Sequence, residues 1–101
     1  MEKYRDAWAY LDPDATGFIE VADFSKLMFK IGPPLGWDNS YRNSQTKQAI
    51  FYKMISTNMR TYDNHRLLYF SDVLDNITLF YVIQREVKMA MEAQNIDVSS
   101  D

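Results

Sequence analysis

The chain has 101 residues, 47% of them apolar and 15% aromatic, which suits one small domain with a single core and argues against disorder. It has no cysteine, so disulfides and thiolate metal sites are excluded. A formal net charge of −3, with the basic residues scattered, gives no basis for nucleic-acid binding, and no apolar run has the length of a bilayer span or the pattern of a signal peptide.

Tyr4, Trp8 and Leu11 recur at i, i+4 and i+7, which predicts a first helix from about residue 2 to Leu11. It should stop at Asp12, because the residue before a proline is pushed out of the helical region. A second helix is expected from near Val21 to Ile31, with Val21, Phe24, Leu27, Met28 and Ile31 on its buried side, and Gly32-Pro33-Pro34 ends it. Residues 32–43 read as a linker loop anchored by Leu35 and Trp37. A third helix follows over Ser44 to Thr57, with Ile50, Phe51, Met54 and Ile55 as its apolar stripe. Asn58 to Arg66 is a polar loop, and "LLYF", residues 67–70, reads as a short strand. A fourth helix should start near Ser71-Asp72, good N-cap types, bury Val73, Ile77, Phe80 and Tyr81, and run to about Ala93. Residues 94–101 read as a frayed tail. The pattern of helix, polar loop, short strand and helix occurs twice, as a first unit over 1–31 and a second over 44–93.

"DPDATGFIEVAD", residues 12–23, holds four carboxylates and no base, and these four account for the whole acidic excess of the chain. Like charges crowded this closely cost energy unless something compensates them. A calcium-binding helix–loop–helix takes oxygens from loop positions 1, 3, 5, 7, 9 and 12 and needs glycine at 6. Asp12, Asp14 and Thr16 fall at 1, 3 and 5, Gly17 at 6, the Phe18 carbonyl at 7, Glu20 at 9 and Asp23 at 12. Ca²⁺ is the ion expected for this set. Asp23 in place of the longer glutamate lowers calcium affinity and favours Mg²⁺. The alternative needs no ion: Asp12 ends a helix as a turn former, and Glu20 and Asp23 complement the N-terminus of the next helix.

Aligning Leu68 with Ile19 puts Thr61, Asp63, His65, Arg66, Tyr69 and Asp72 at positions 1, 3, 5, 6, 9 and 12 of a second loop. With arginine at the glycine position and two carboxylates, this loop reads as structural, pairing "LLYF" with "FIEV". His65, the single histidine, is expected in solvent.

"WAYLDPDATGFIEVADFSKLMFKIGPPLGW", residues 8–37, resembles the EF-hand domain that follows the last transmembrane helix of four-repeat voltage-gated calcium and sodium channels, the calcium-channel type above all. Trp8, the "DPDATGFIE" loop and "PPLG" carry the likeness, and "NMRTYDNHRLLYFSDVLDNITLFYVIQR" is similar to the family's second hand, which extends the likeness over residues 4–85. The resemblance implies an all-α paired EF-hand with a short antiparallel β pairing between its loops. It implies a cytosolic regulatory domain of a plasma-membrane channel, one that packs against neighbouring channel segments and tunes inactivation. It also implies hands that keep the fold while binding calcium weakly or not at all. Such channels carry a calmodulin-binding IQ segment downstream, and no IQ pattern occurs in these residues.

No nucleophile and base fall into a catalytic pattern, and no glycine loop suits phosphate, so enzyme activity is not expected. Ile83, Val87, Ala90 and Met91 continue an apolar face past the expected core. Either this face packs back on the domain or, the favoured reading, it docks another helix, a channel segment or calmodulin, with Met89 and Met91 as adaptable contacts. Two functions follow: a channel regulatory domain, sensitive to cations if the first loop takes one, or a freestanding calmodulin-like calcium sensor or buffer.

Overall fold

The computed structural model describes residues 2–94, so the expected frayed tail, apart from Gln94, lies outside the described residues. The α-helices are α1 (Glu2–Leu11), α2 (Phe24–Ile31), α3 (Gln45–Ser56) and α4 (Phe70–Ala93), and the strands are β1 (Phe18–Glu20) and β2 (Leu67–Tyr69). Single 3₁₀ turns, Val21–Asp23 and Asn39–Tyr41, precede α2 and α3. The architecture is two helix–loop–helix units joined loop to loop. β1 and β2 run antiparallel with Phe18 opposite Tyr69, Ile19 opposite Leu68 and Glu20 opposite Leu67. The central pair is the expected one, and both its side chains are buried. Among the described residues no helix is long and apolar enough to cross a membrane.

Tyr4, Ala7 and Trp8 of α1 pack with Phe24, Leu27, Met28 and Ile31 of α2, and Phe51, Ile55, Val73 and Ile77 close the core from the second unit. Leu27 and Met28 are fully buried, and each contributes about 1.5–3 kcal/mol relative to an exposed side chain. Trp37 anchors the linker as expected. It stacks on Tyr41 at 4.7 Å and presents edges to Phe24, Phe29 and Phe51. Leu35 is half-buried against the same cluster.

Two expectations need correction. Only Phe51 and Ile55 of the α3 stripe reach the core, while Ile50 and Met54 are more than half exposed. A short helix covered on one side by α4 and the linker buries a narrow stripe, and these two lie on the turn beside it. Helix α4 is not capped by Ser71 or Asp72. The strand stops at Tyr69, the helix starts at Phe70 without a side-chain cap, and the Asp72 carboxylate accepts the Tyr62 hydroxyl at 2.8 Å instead.

α2 ends at Gly32, whose φ of 65° lies in the left-handed region. The linker then folds back, and the N–H groups of Gly36 and Trp37 donate to the carbonyls of Gly32 and Met28 at 2.8 and 2.9 Å. A β-carbon at Gly36 would collide with the Met28 oxygen and sit 2.8 Å from that of Gly32. Gly36→Ala should therefore destabilise the domain by about 1–3 kcal/mol, the usual cost of overpacking. Gly32→Ala meets no atom within 4 Å, but its φ of 65° with ψ of 173° is a conformation for glycine, so it should cost about 1–3 kcal/mol through the backbone alone. Urea unfolding of the two variants checks both, and equal stability of Gly36→Ala and wild type would contradict the packing described.

Candidate functional site

Among the described residues the Asp12 side chain is the one charged group in the buried set, 7% exposed. α1 ends on it, with the Asp12 N–H still donating to the Trp8 carbonyl at 2.9 Å. Pro13 bars a further turn of helix. The loop then turns back, with positive φ at Ala15 (53°) and Gly17 (90°), and this aims successive N–H groups at the carboxylate. Oδ1 accepts from the Thr16 N–H at 3.0 Å and the Thr16 hydroxyl at 2.8 Å. Oδ2 accepts from the Gly17 N–H at 2.8 Å and from the Trp8 indole Nε1 at 3.2 Å. Glycine is needed at 17 for its φ, and the Tyr69 ring would lie 3.1 Å from a β-carbon there. Burial opposes the charge on Asp12, but the bonds from Thr16, Gly17 and Trp8 outweigh it and hold the carboxyl below the usual aspartate range.

The other expected donors are placed differently. The Thr16 hydroxyl, itself accepting from the Phe18 N–H at 3.1 Å, lies 3.3 Å from the Phe18 carbonyl. Asp12, Thr16 and Phe18 thus come together. Asp14 and Glu20 are exposed. Asp23 is half-buried and faces Lys26 at 3.7 Å. Among the described residues no three acidic or histidine side chains gather closely enough to hold a metal ion. The indole of Trp8 is the partner that sequence reasoning missed, although its spacing of four from Asp12 on one helix face was visible.

The second loop is a tight turn. Asp63, Asn64 and His65 all have positive φ, between 50° and 67°, and the Arg66 N–H closes the turn on the Tyr62 and Asp63 carbonyls. His65 is exposed, with Nδ1 at 2.9 Å from the Thr61 hydroxyl. Arg66 pairs with Asp63 at 3.3 Å in solvent.

On the far side, α4 outruns the core. Val73 and Ile77 are buried and Phe80 and Tyr81 half-buried, but every residue from Val82 to Gln94 is exposed. Ile83 and Val87 are about half exposed and Met91 37%. They continue the stripe of Leu79 along one side of the helix. The root of α4 is held firmly: the Tyr4 hydroxyl donates to the Phe70 carbonyl at 2.7 Å, and the Phe70 ring packs on those of Tyr4 and Trp8 at 5.0 and 5.3 Å.

Residues 3–60 match the family described as "GPHH: Voltage-dependent L-type calcium channel, IQ-associated". The chain is 28% identical over 93 residues to the voltage-dependent calcium channel type A subunit alpha-1 of Drosophila melanogaster. It is 27% identical over 92 residues to the dihydropyridine-sensitive L-type skeletal muscle calcium channel subunit alpha-1 of Cyprinus carpio. These alignments cover 92% and 91% of the chain but 4% of each relative.

Because the folded Asp12 carboxyl is held below its ordinary range, its charge contributes stability above that range and loses it as the pH falls through the folded value. Asp12→Asn should cost about 1–3 kcal/mol at neutral pH. The gap between variant and wild type should narrow on acidification below about pH 4. Urea unfolding across pH checks this, and a gap that widens in acid would contradict it.

Proposed function

The chain belongs to the voltage-dependent L-type calcium channel, IQ-associated family, and from that premise we propose that it is an EF-hand-type regulatory module on the cytoplasmic side of a voltage-gated calcium channel. Its work is mechanical: it holds a further helical segment at a fixed position relative to its own core and so tunes gating or inactivation. The observation that carries this reading is α4. Its 24 residues span about 36 Å. Its first half is built into the core, and its second half offers Ile83, Val87 and Met91 on an otherwise uncovered apolar stripe. A helix gripped at one end and uncovered at the other transmits the position of whatever packs on it. The occupant is a neighbouring segment of the same polypeptide, or calmodulin bound to such a segment. A freestanding calmodulin-like sensor, the alternative, opens an apolar groove when its loops bind calcium. The second loop, with its run of left-handed residues and Arg66 in place of glycine, is shaped as a turn.

Ile83→Asp with Val87→Asp tests the reading. Both positions are exposed, so the isolated domain should keep its stability within about 0.5 kcal/mol. In the whole channel that carries this chain, the same pair should change the inactivation rate several-fold in patch-clamp recordings. Wild-type currents from the double variant would rule out the docking role.

A further inference from the structure

In a calcium loop, positions 1, 5 and 7 turn their oxygens on the ion. Here the same positions are bonded to one another. The Thr16 hydroxyl donates to Asp12 Oδ1 at 2.8 Å, accepts from the Phe18 N–H, and lies 3.3 Å from the Phe18 carbonyl. The remaining Asp12 oxygen takes the Gly17 N–H and the Trp8 indole. The carboxylate is thus served by four protein donors.

We propose that the 12–23 loop is a cation-independent clasp, in which protein donors on Asp12 do the work that an ion does in a calcium loop. An entering cation would have to displace the Trp8 indole and the Thr16 hydroxyl from Asp12. The carboxylates that would repay this are elsewhere: Asp14 and Glu20 face solvent, and the short Asp23 side chain lies beside Lys26. The clasp also reaches α4. The Gly17 carbonyl accepts the Phe70 N–H at 2.9 Å, while the Trp8 ring lies against the Phe70 ring. Trp8 and Gly17, both held by Asp12, therefore grip the first residue of α4 from two sides, and the direction of that helix is fixed whatever the calcium level. The inference stands on the loop geometry alone, independently of the channel role.

The test uses the domain with CaCl₂ and MgCl₂, read by the Gly17 amide resonance and by thermal melting. The clasp predicts no movement of that resonance and no change in Tm up to millimolar concentrations of either ion. Thr16→Val, which removes the hydroxyl and keeps the shape, should lower Tm by about 4–8 °C equally with and without calcium. Glu20→Gln combined with Asp23→Asn, which would cripple a cation site, should leave Tm unchanged. Saturable calcium or magnesium binding at submillimolar levels overturns the clasp. A calcium-dependent rise in Tm that the Glu20→Gln, Asp23→Asn pair abolishes also overturns it, as does a Thr16→Val variant as stable as wild type. If Thr16→Val does not fold, the wild-type titration and the double variant still decide.

Discussion

The domain depends on three residue pairs of antiparallel ladder. Ile19 and Leu68 face each other in the core, and their strand neighbours face outward. Side chains alternate along a strand, so a slip of one residue would turn both to solvent and bring Glu20 or Phe18 inward. Two strands of three residues are marginal in water. This ladder is therefore closed at both ends by further backbone bonds: Phe70 N–H to Gly17 carbonyl at one end, Val21 N–H to Arg66 carbonyl at the other. The residues that close it are also those from which α4 and the turn into α2 depart. Register, helix direction and core burial are thus one constraint.

The two loops carry that ladder by different means. The first separates its charges. Asp12 turns inward to four donors, Asp14 and Glu20 go to water, and Asp23 lies beside Lys26. Exposed carboxylates held apart are screened by solvent and ions, so the crowding that the sequence suggests is relieved by geometry. The second loop has less charge and more backbone cost. Its three consecutive left-handed residues are aspartate, asparagine and histidine, the non-glycine types that tolerate that region best. The Arg66 N–H secures the turn.

The ends of α1 and α2 and the ladder register were legible because they follow from local rules. α1 stops before Pro13, α2 stops at Gly32, and the alignment of Leu68 with Ile19 is the observed pairing. Burial on α3 was less legible. Ile50 and Met54 are apolar at helical spacing, but how wide a stripe a helix buries depends on which neighbours cover it, and that is set by the whole chain. The capping of α4 was misread for a related reason. Ser71 and Asp72 are good caps by type, yet Phe70 is drawn into the helix by the Tyr4 hydroxyl and the Gly17 carbonyl, two contacts from the other unit. In the first loop, residue types at the right spacing gave the shape. Which oxygen each donor serves depended on the Trp8 indole, a polar atom on a side chain read as apolar.

The uncovered half of α4 has no core to hold it helical. Isolated helices of that length are marginal in water. The segment from Gln84 to Ala93 is nevertheless rich in strong helix formers, Gln, Arg, Lys, Glu, Met and Ala, and it extends a helix already nucleated on Val73 and Ile77. Propensity thus keeps this half of α4 helical without help from packing. That frees the apolar side chains at 83, 87 and 91 from any duty inside the domain. A segment that needed only to remain helical and soluble would be served by alanine or lysine at these positions. Isoleucine, valine and methionine add apolar area that gains nothing until another surface covers it.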